Sequence, residues 1–401
     1  MKHSRGLLMA ILALLPTVGH AYELSDWTSV TEAARGQTVY WNAWGGDPRT
    51  NTYIDWVAEQ VEQRYDIDLV HVKVSDTAEA VTRVVAEKAA GNKDQGAVDL
   101  IWINGENFAA MKANDLLYGP WAEQLPNFTL TAPEQNPEMR EDFNLPVEGY
   151  EAPWGRAQIT FYYDSARVHE PPHSISALLD WAQAHPGRFT YPQPPAFLGT
   201  SLLKQALLAL TDQPEALYAP VDEADFDAVT APLWRYLDRL HPVLWREGKR
   251  FPAGGPQMRQ LMGDGALSLA FTYTPSAPAA AVLDYQLPAS TRSYIFDDGT
   301  LGNVHFIAIP FNAQHKAGAL TVANFLLSPE AQAHKQDLTM WGDATVLDMA
   351  HLSPEQRAAF ARDDRAAESL PPPTLGKTLR EPDPSWIEPL ERAWRQRYGA
   401  Q

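Results

Sequence analysis

Two stretches of this chain set an indole among glycines and polar groups. In the first, Trp41 and Trp44 stand three apart where a strand, 37–43, runs into Gly45, Gly46 and Pro48. Alternation along a strand turns the two rings to opposite faces. Trp41, inside the strand, is expected to pack in a core, and Trp44, in the loop, to be free for a ligand. Gly45 and Gly46 either let a ligand approach the backbone or simply make a turn. In the second, Trp341-Gly342-Asp343 follows a helix. A ring beside a carboxylate suits a cation, and the alternative is packing at a helix end. Between these lies Asn104-Gly105-Glu106, after a short apolar strand and before a helix. Asn104 is placed to cap that helix, and the helix start presents N–H donors.

Catalytic patterns are wanting. His169-Glu170-Pro171-Pro172-His173 matches a zinc-protease string, but that chemistry needs both histidines one turn apart on a helix, and two prolines forbid it. No nucleophile elbow, phosphate loop or dinucleotide glycine motif is present. Carboxylates are plentiful, yet no spacing marks a pair for acid–base work. An enzyme reading survives only as a secreted carbohydrate-active hydrolase, with two acids ~5–10 Å apart in a cleft and a Trp platform.

These residues need elements to hold them. Strand 37–43 leads to a helix over 51–65, with Ile54, Val57, Val61 and Tyr65 on one side. Residues 67–74 alternate as a strand, Asp76 with Glu79 forms a capping box, and 98–103 is a third strand. This βαβαβ order requires a parallel sheet covered by helices. Residues 125–150 lack periodicity and read as loop. A strand follows over 157–163, then helices near 174–184 and 200–211, with Thr200 or Ser201 as the cap of the latter. Strands return at 265–273 and 304–309. From Ala317 the chain is mainly helical, with Ser328-Pro329-Glu330 opening one helix. Trp44, Asn104 and Tyr273 all follow strands, where open α/β sheets bind ligands.

The N-terminus carries Lys2 and Arg5, an apolar run from Leu7 to Leu15, and small residues at Gly19 and Ala21. This is a secretory signal pattern with cleavage before Tyr22, and the run is too short to span a bilayer. There is no cysteine, so disulfides, thiolate metal sites and a lipidated N-terminal cysteine are excluded. Acidic residues outnumber basic ones 50 to 32, a surface that repels nucleic acid and favours a soluble monomer. A mature length of about 380 residues suggests two lobes. The 13 Trp and 15 Tyr exceed what a core alone calls for.

Several stretches together resemble the extracellular solute-binding proteins of ABC importers, in the group that includes thiamine, polyamine and ferric-iron binders. They are 39–46, 98–108, 157–167 with its Tyr162-Tyr163 pair, Met262 to Leu267, and 323–332. The resemblance implies an α/β fold of the two-lobed periplasmic-binding-protein type (type II). Each lobe would be a mainly parallel sheet flanked by helices, with a hinge and a central ligand cleft. Residues 22–155 and 272–312 are expected to form the first lobe, and 156–271 and 313–401 the second with its C-terminal helices. It also implies a periplasmic protein that passes a small-molecule solute to an ABC-transporter membrane permease with its cytoplasmic ATPase, using no cofactor. By position in this family, the expected ligand-binding residues are Trp44, Gly45, Gly46, Asn104, Glu106, Tyr162, Thr200, Ser201, Tyr273, Trp341 and Asp343. Tyr162-Tyr163 resembles the paired tyrosines of ferric-iron binders, but no completing ligand cluster is evident and no metal is expected. The acidic balance and the Trp341/Asp343 pairing lean towards an organic cation. Arg49 and Arg156, near the candidate loops, leave an anion open.

Overall fold

The computed structural model describes residues 22–360 and 376–399. The expected signal peptide, 1–21, lies outside them. The chain runs α1 (Trp27–Ala34), β1 (Thr38–Trp44), α2 (Pro48–Tyr65), β2 (Asp68–Val74), α3 (Thr77–Ala89), β3 (Leu100–Ile103) and α4 (Gly105–Ala113). The capping box of Asp76 and Glu79 starts α3. β1 lies between β2 and β3, parallel to both. The short hairpin β4 (Glu141–Asp142) and β5 (Leu145–Pro146) stands in the segment read as loop. Its turn holds Phe143 and Asn144 at positive φ, conformations that leave no mark on hydrophobic periodicity.

Two long strands join the lobes. β6 (Glu151–Gln158) runs straight into β7 (Thr160–Asp164). After α5 (Ile175–Ala184), α6 (Phe197–Leu210), α7 (Phe226–Leu240), α8 (Gly255–Gly263), β8 (Leu269–Thr272), α9 (Ala277–Leu283) and β9 (Thr291–Tyr294), β10 (Thr300–Ala308) returns antiparallel to β6. The chain then continues through α10 (Lys316–Leu326), α11 (Pro329–Gln336), α12 (Pro354–Ala358), β11 (Thr378–Leu379) and α13 (Ile387–Tyr398).

Both crossing strands belong to two cores. Ala152 and Trp154 of β6 sit in the first, Ala157 in the second; Phe306 of β10 sits in the first, Leu301 in the second. This β6–β10 ribbon connects the lobes. The larger sheet has the order β11-β10-β3-β1-β2, with β6 on β10, and β11 pairs with the second-lobe end of β10.

Three expectations need correction. The second-lobe sheet, β8-β7-β9, is antiparallel throughout, not mainly parallel. Helical connections as long as these permit either direction, so apolar runs alone could not decide it. Residues 313–352 belong to the first lobe: α10 is buried along its length and packs on α1, and Trp341, Val346 and Leu352 join the same core. Only the C-terminal end, with Trp386, Leu390 and Trp394, joins the second. Of 272–312, Tyr273, Phe296 and Leu301 are second-lobe residues.

Candidate functional site

Between the lobes lies a cavity of about 720 Å³. Trp44, Gly45 and Gly46 form one wall at the end of β1. A Cβ on Gly46 would lie 2.4 Å from the Trp44 ring, so the indole folds back over this glycine and would have to shift for any side chain there. Asn104 and Glu106 line the cavity from the start of α4. Asn104 occupies the N-cap position but makes no capping bond; its Oδ1 accepts from Asn107 Nδ2 at 2.9 Å.

The second lobe contributes Tyr162, Thr200 and Tyr273. Tyr162 and Tyr163 alternate across β7. The first lines the cavity and packs with Met262, whereas the second packs on Tyr294 at 5.7 Å. Burial raises the Tyr162 hydroxyl pKa, which opposes the phenolate that iron binding needs.

Thr200 and Ser201 do not cap α6, which begins at Phe197. The two prolines before Ala196 lead the chain straight into the helix. Gly199 lies inside the helix, where a Cβ would come 2.2 Å from the Pro192 carbonyl oxygen. Thr200 Oγ1 instead donates to Glu391 Oε1 at 2.6 Å. Ser201 turns away from the cavity and donates to the Phe197 carbonyl at 2.7 Å.

Trp341 reaches the cavity with one part of its ring, yet only 6% of it is exposed. It packs among Tyr53, Trp102 and Trp154 at 5.5–5.7 Å. It also comes from the same lobe as Trp44, so the two do not face each other from opposite lobes. Asp343 is fully buried and does not line the cavity. It accepts from Lys335 Nζ at 2.6 Å and bonds His305 Nε2 at 3.0 Å. Burial opposes its ionisation, but Lys335 and His305 outweigh this and hold its carboxyl below the ordinary range. Its charge is therefore spent inside the first lobe.

The cleft holds further charged groups, of which the sequence marked only Arg49. Ion pairs cross between the lobes at both ends of the cleft, among them Arg380 with Glu141 at 3.7 Å. Arg49 grips Asp284 through two bonds of 2.8 and 2.6 Å, and Arg259 meets Asp47 at 3.3 Å. Arg156, the other arginine that left an anion open, is paired with Glu138 at 3.1 Å. Lys204 of α6 lies against Glu381 at 2.6 Å, both side chains 2% exposed, and over the Phe143 ring at 4.3 Å. Glu381 also accepts from the Tyr273 hydroxyl.

Around Lys204 the carboxylates are in excess. Burial raises the pKa of Glu106, with Lys204 opposing and Glu381 and Asp76 adding to the rise. Burial likewise raises Asp142, next to Glu106 and Glu381, and Glu151, next to Asp142 and with Lys112 opposing. Neither Asp142 nor Glu151 has a hydrogen-bond partner for its carboxylate oxygens among the described residues. A carboxyl whose folded-state pKa is raised contributes stability at low pH and loses it as pH rises through that value. Burial lowers the pKa values of His71, His241 and His334, which work the other way over the same range. The carboxyl contribution is therefore read by difference: between pH 5.5 and pH 8 wild type should lose more melting temperature than Asp142→Asn in differential scanning calorimetry, and parallel curves would contradict it.

Two sheets bridged by a strand ribbon, with a ligand-sized cavity at the strand ends, define a solute receptor of the periplasmic-binding class. Residues 56–362 match the family model for bacterial extracellular solute-binding proteins, and the chain belongs to that family. It is 46% identical over 399 residues to Protein YnjB of Escherichia coli (strain K12), covering all of both chains. Among solved structures it is similar to the periplasmic binding protein AfuA from Actinobacillus pleuropneumoniae, with fructose-6-phosphate bound. The TM-score is 0.64 at 14% identity, over 91% of this chain and 99% of that one. It is also similar to the spermidine/putrescine ABC transporter substrate-binding protein PotD from Streptococcus pneumoniae. There the TM-score is 0.59 at 16% identity, over 90% and 98%. The chain is thus a solute-binding protein of ABC importers, and this reading is favoured over the hydrolase.

Proposed function

We propose that the mature chain, starting at Tyr22 in the periplasm, captures one small organic solute in the cleft as a monomer. It then hands the solute to a membrane permease driven by a cytoplasmic ATPase. The observation that carries this reading is the 720 Å³ cavity walled from both lobes by Trp44, Asn104 and Glu106 on one side and Tyr162, Thr200 and Tyr273 on the other. A solute there touches both lobes and stabilises the closed arrangement by its differential contacts. A solute at 100 times its Kd adds about 2.7 kcal/mol to stability, so a thermal-shift screen of small metabolites tests the reading. At least one compound should raise the melting temperature at one-to-one stoichiometry, and a wide screen with no shift counts against it.

Export is tested separately. Mass spectrometry of the periplasmic protein should find Tyr22 as the first residue, and retention of residues 1–21 would contradict it.

The Arg49–Asp284 and Arg259–Asp47 pairs favour the closed arrangement of the lobes. Exposed pairs are worth about 0.2–1 kcal/mol and weaken in salt. Small-angle scattering of ligand-free protein should show a larger radius of gyration for the double variant Arg259→Gln, Asp284→Asn than for wild type. An equal value would remove the pairs from control of closure.

A further inference from the structure

We propose that the solute is an organic cation and that its positive group is received between Glu106 of α4 and Glu391 of α13, at the end of the cleft beside Lys204. This rests on the cleft being the solute site and adds the chemistry of what fills it.

The first ground is a charge imbalance. Lys204, the basic side chain at this end, is already engaged by Glu381 at 2.6 Å. Glu106 and Glu391 both face the cavity. Glu391 accepts a hydrogen bond from Thr200 and feels the charges of Arg395 and Lys204, with no ion pair to either among the described residues. Glu106 Oε2 is buried with no hydrogen-bond partner among the described residues. Behind it stands Asp142, 1% exposed and equally unpartnered. Carboxylates left in this state cost free energy that a cation with N–H donors or a diffuse positive charge would recover.

The second ground is the other end of the cleft. Arg49 and Arg259, the side chains able to grip a phosphate or carboxylate in a fork, are bound to Asp284 and Asp47. Lys73 also lines the cavity, at the Gly45 end away from Lys204, as an exposed side chain whose stem lies along Gly45. The space between is bordered by the rings of Trp44, Trp102, Phe197 and Tyr273. Aromatic faces accept the apolar body of an organic cation and attract its charge. An inorganic ion would leave most of this volume unused.

The test uses calorimetric titration of the mature protein with putrescine, spermidine and thiamine, and with fructose-6-phosphate as the anionic comparison. At least one of the three cations should bind one-to-one. Glu106→Gln and Glu391→Gln should each weaken that binding at least tenfold, about 1.4 kcal/mol. Glu330→Gln, at an outer ion pair with Arg64, should leave it unchanged. Ligand-free Glu106→Gln should melt no lower than wild type, which separates lost recognition from lost fold. Failure of all three cations to bind, or binding indifferent to both glutamine substitutions, overturns the inference. One-to-one uptake of fructose-6-phosphate instead would overturn it while leaving the solute-binding reading intact. No small molecule of any charge bound to the cleft would remove that reading as well.

Discussion

Trp341→Ala should lower the unfolding free energy by about 3–5 kcal/mol, the range for truncating a core aromatic, while Trp44→Ala should change it by no more than about 1 kcal/mol. Both residues line the same cavity, but they are held differently. Trp341 fills the space between Tyr53, Trp102 and Trp154, and its ring is parallel to His305 within 7°. Removing it opens a hole under the first-lobe sheet. Trp44 is half-exposed at the end of β1 and leans on Gly46, so its loss is felt mainly by the solute. Urea titration of both variants, followed by solute titration of the folded forms, separates the two roles. Equal stability losses would show that Trp44 is also core.

Lys335→Met should destabilise by a similar amount, about 3–5 kcal/mol, because it leaves Asp343 buried without its strongest partner. Lys335 is fully buried, bonds Asp343 at 2.6 Å and the Ala344 carbonyl at 3.1 Å, and lies within 5.6–5.8 Å of the Trp154 and Trp341 ring centres. The double variant Lys335→Met, Asp343→Leu removes the stranded charge and should recover part of the loss. A single variant as stable as wild type would mean that the pair contributes nothing net. The two tryptophan and lysine effects will not add, since the side chains touch.

Much of the fold was readable because local signals agreed. The first three strands, the Asp76 capping box and the Ser328-Pro329 helix start all carry chemistry that acts within a few residues. Lobe membership did not. The apolar face of α10 announces a buried helix, but nothing local tells which core receives it, and Gly318 meets Val39 across 279 residues of chain. Asp343 misled for the same reason: its partner Lys335 is close in sequence, yet a lysine eight residues back normally reaches water. Thr200 and Ser201 looked like caps because they precede an apolar-periodic run, but the helix starts earlier, and Gly199 is a close packing point inside it. The cleft-facing residues from strand ends, Trp44, Asn104 and Tyr273, were legible from topology. Glu391 was not, because its role arises from a C-terminal helix folding beside α6. One signal was available for Lys204. It is the single charge in Phe197–Leu210, a helix otherwise rich in leucine and alanine, and a charge so placed is usually buried with a partner.

Native mass spectrometry of the mature protein, mixed with a small-molecule extract and then desalted, tests the central claim most directly. The account predicts a single adduct per chain, one small organic compound compatible with a 720 Å³ cavity, weakened in Trp44→Ala and in Glu106→Gln. A chain that stays at its ligand-free mass in every extract, or an adduct that both substitutions leave untouched, would contradict the assignment of this cleft as a solute site.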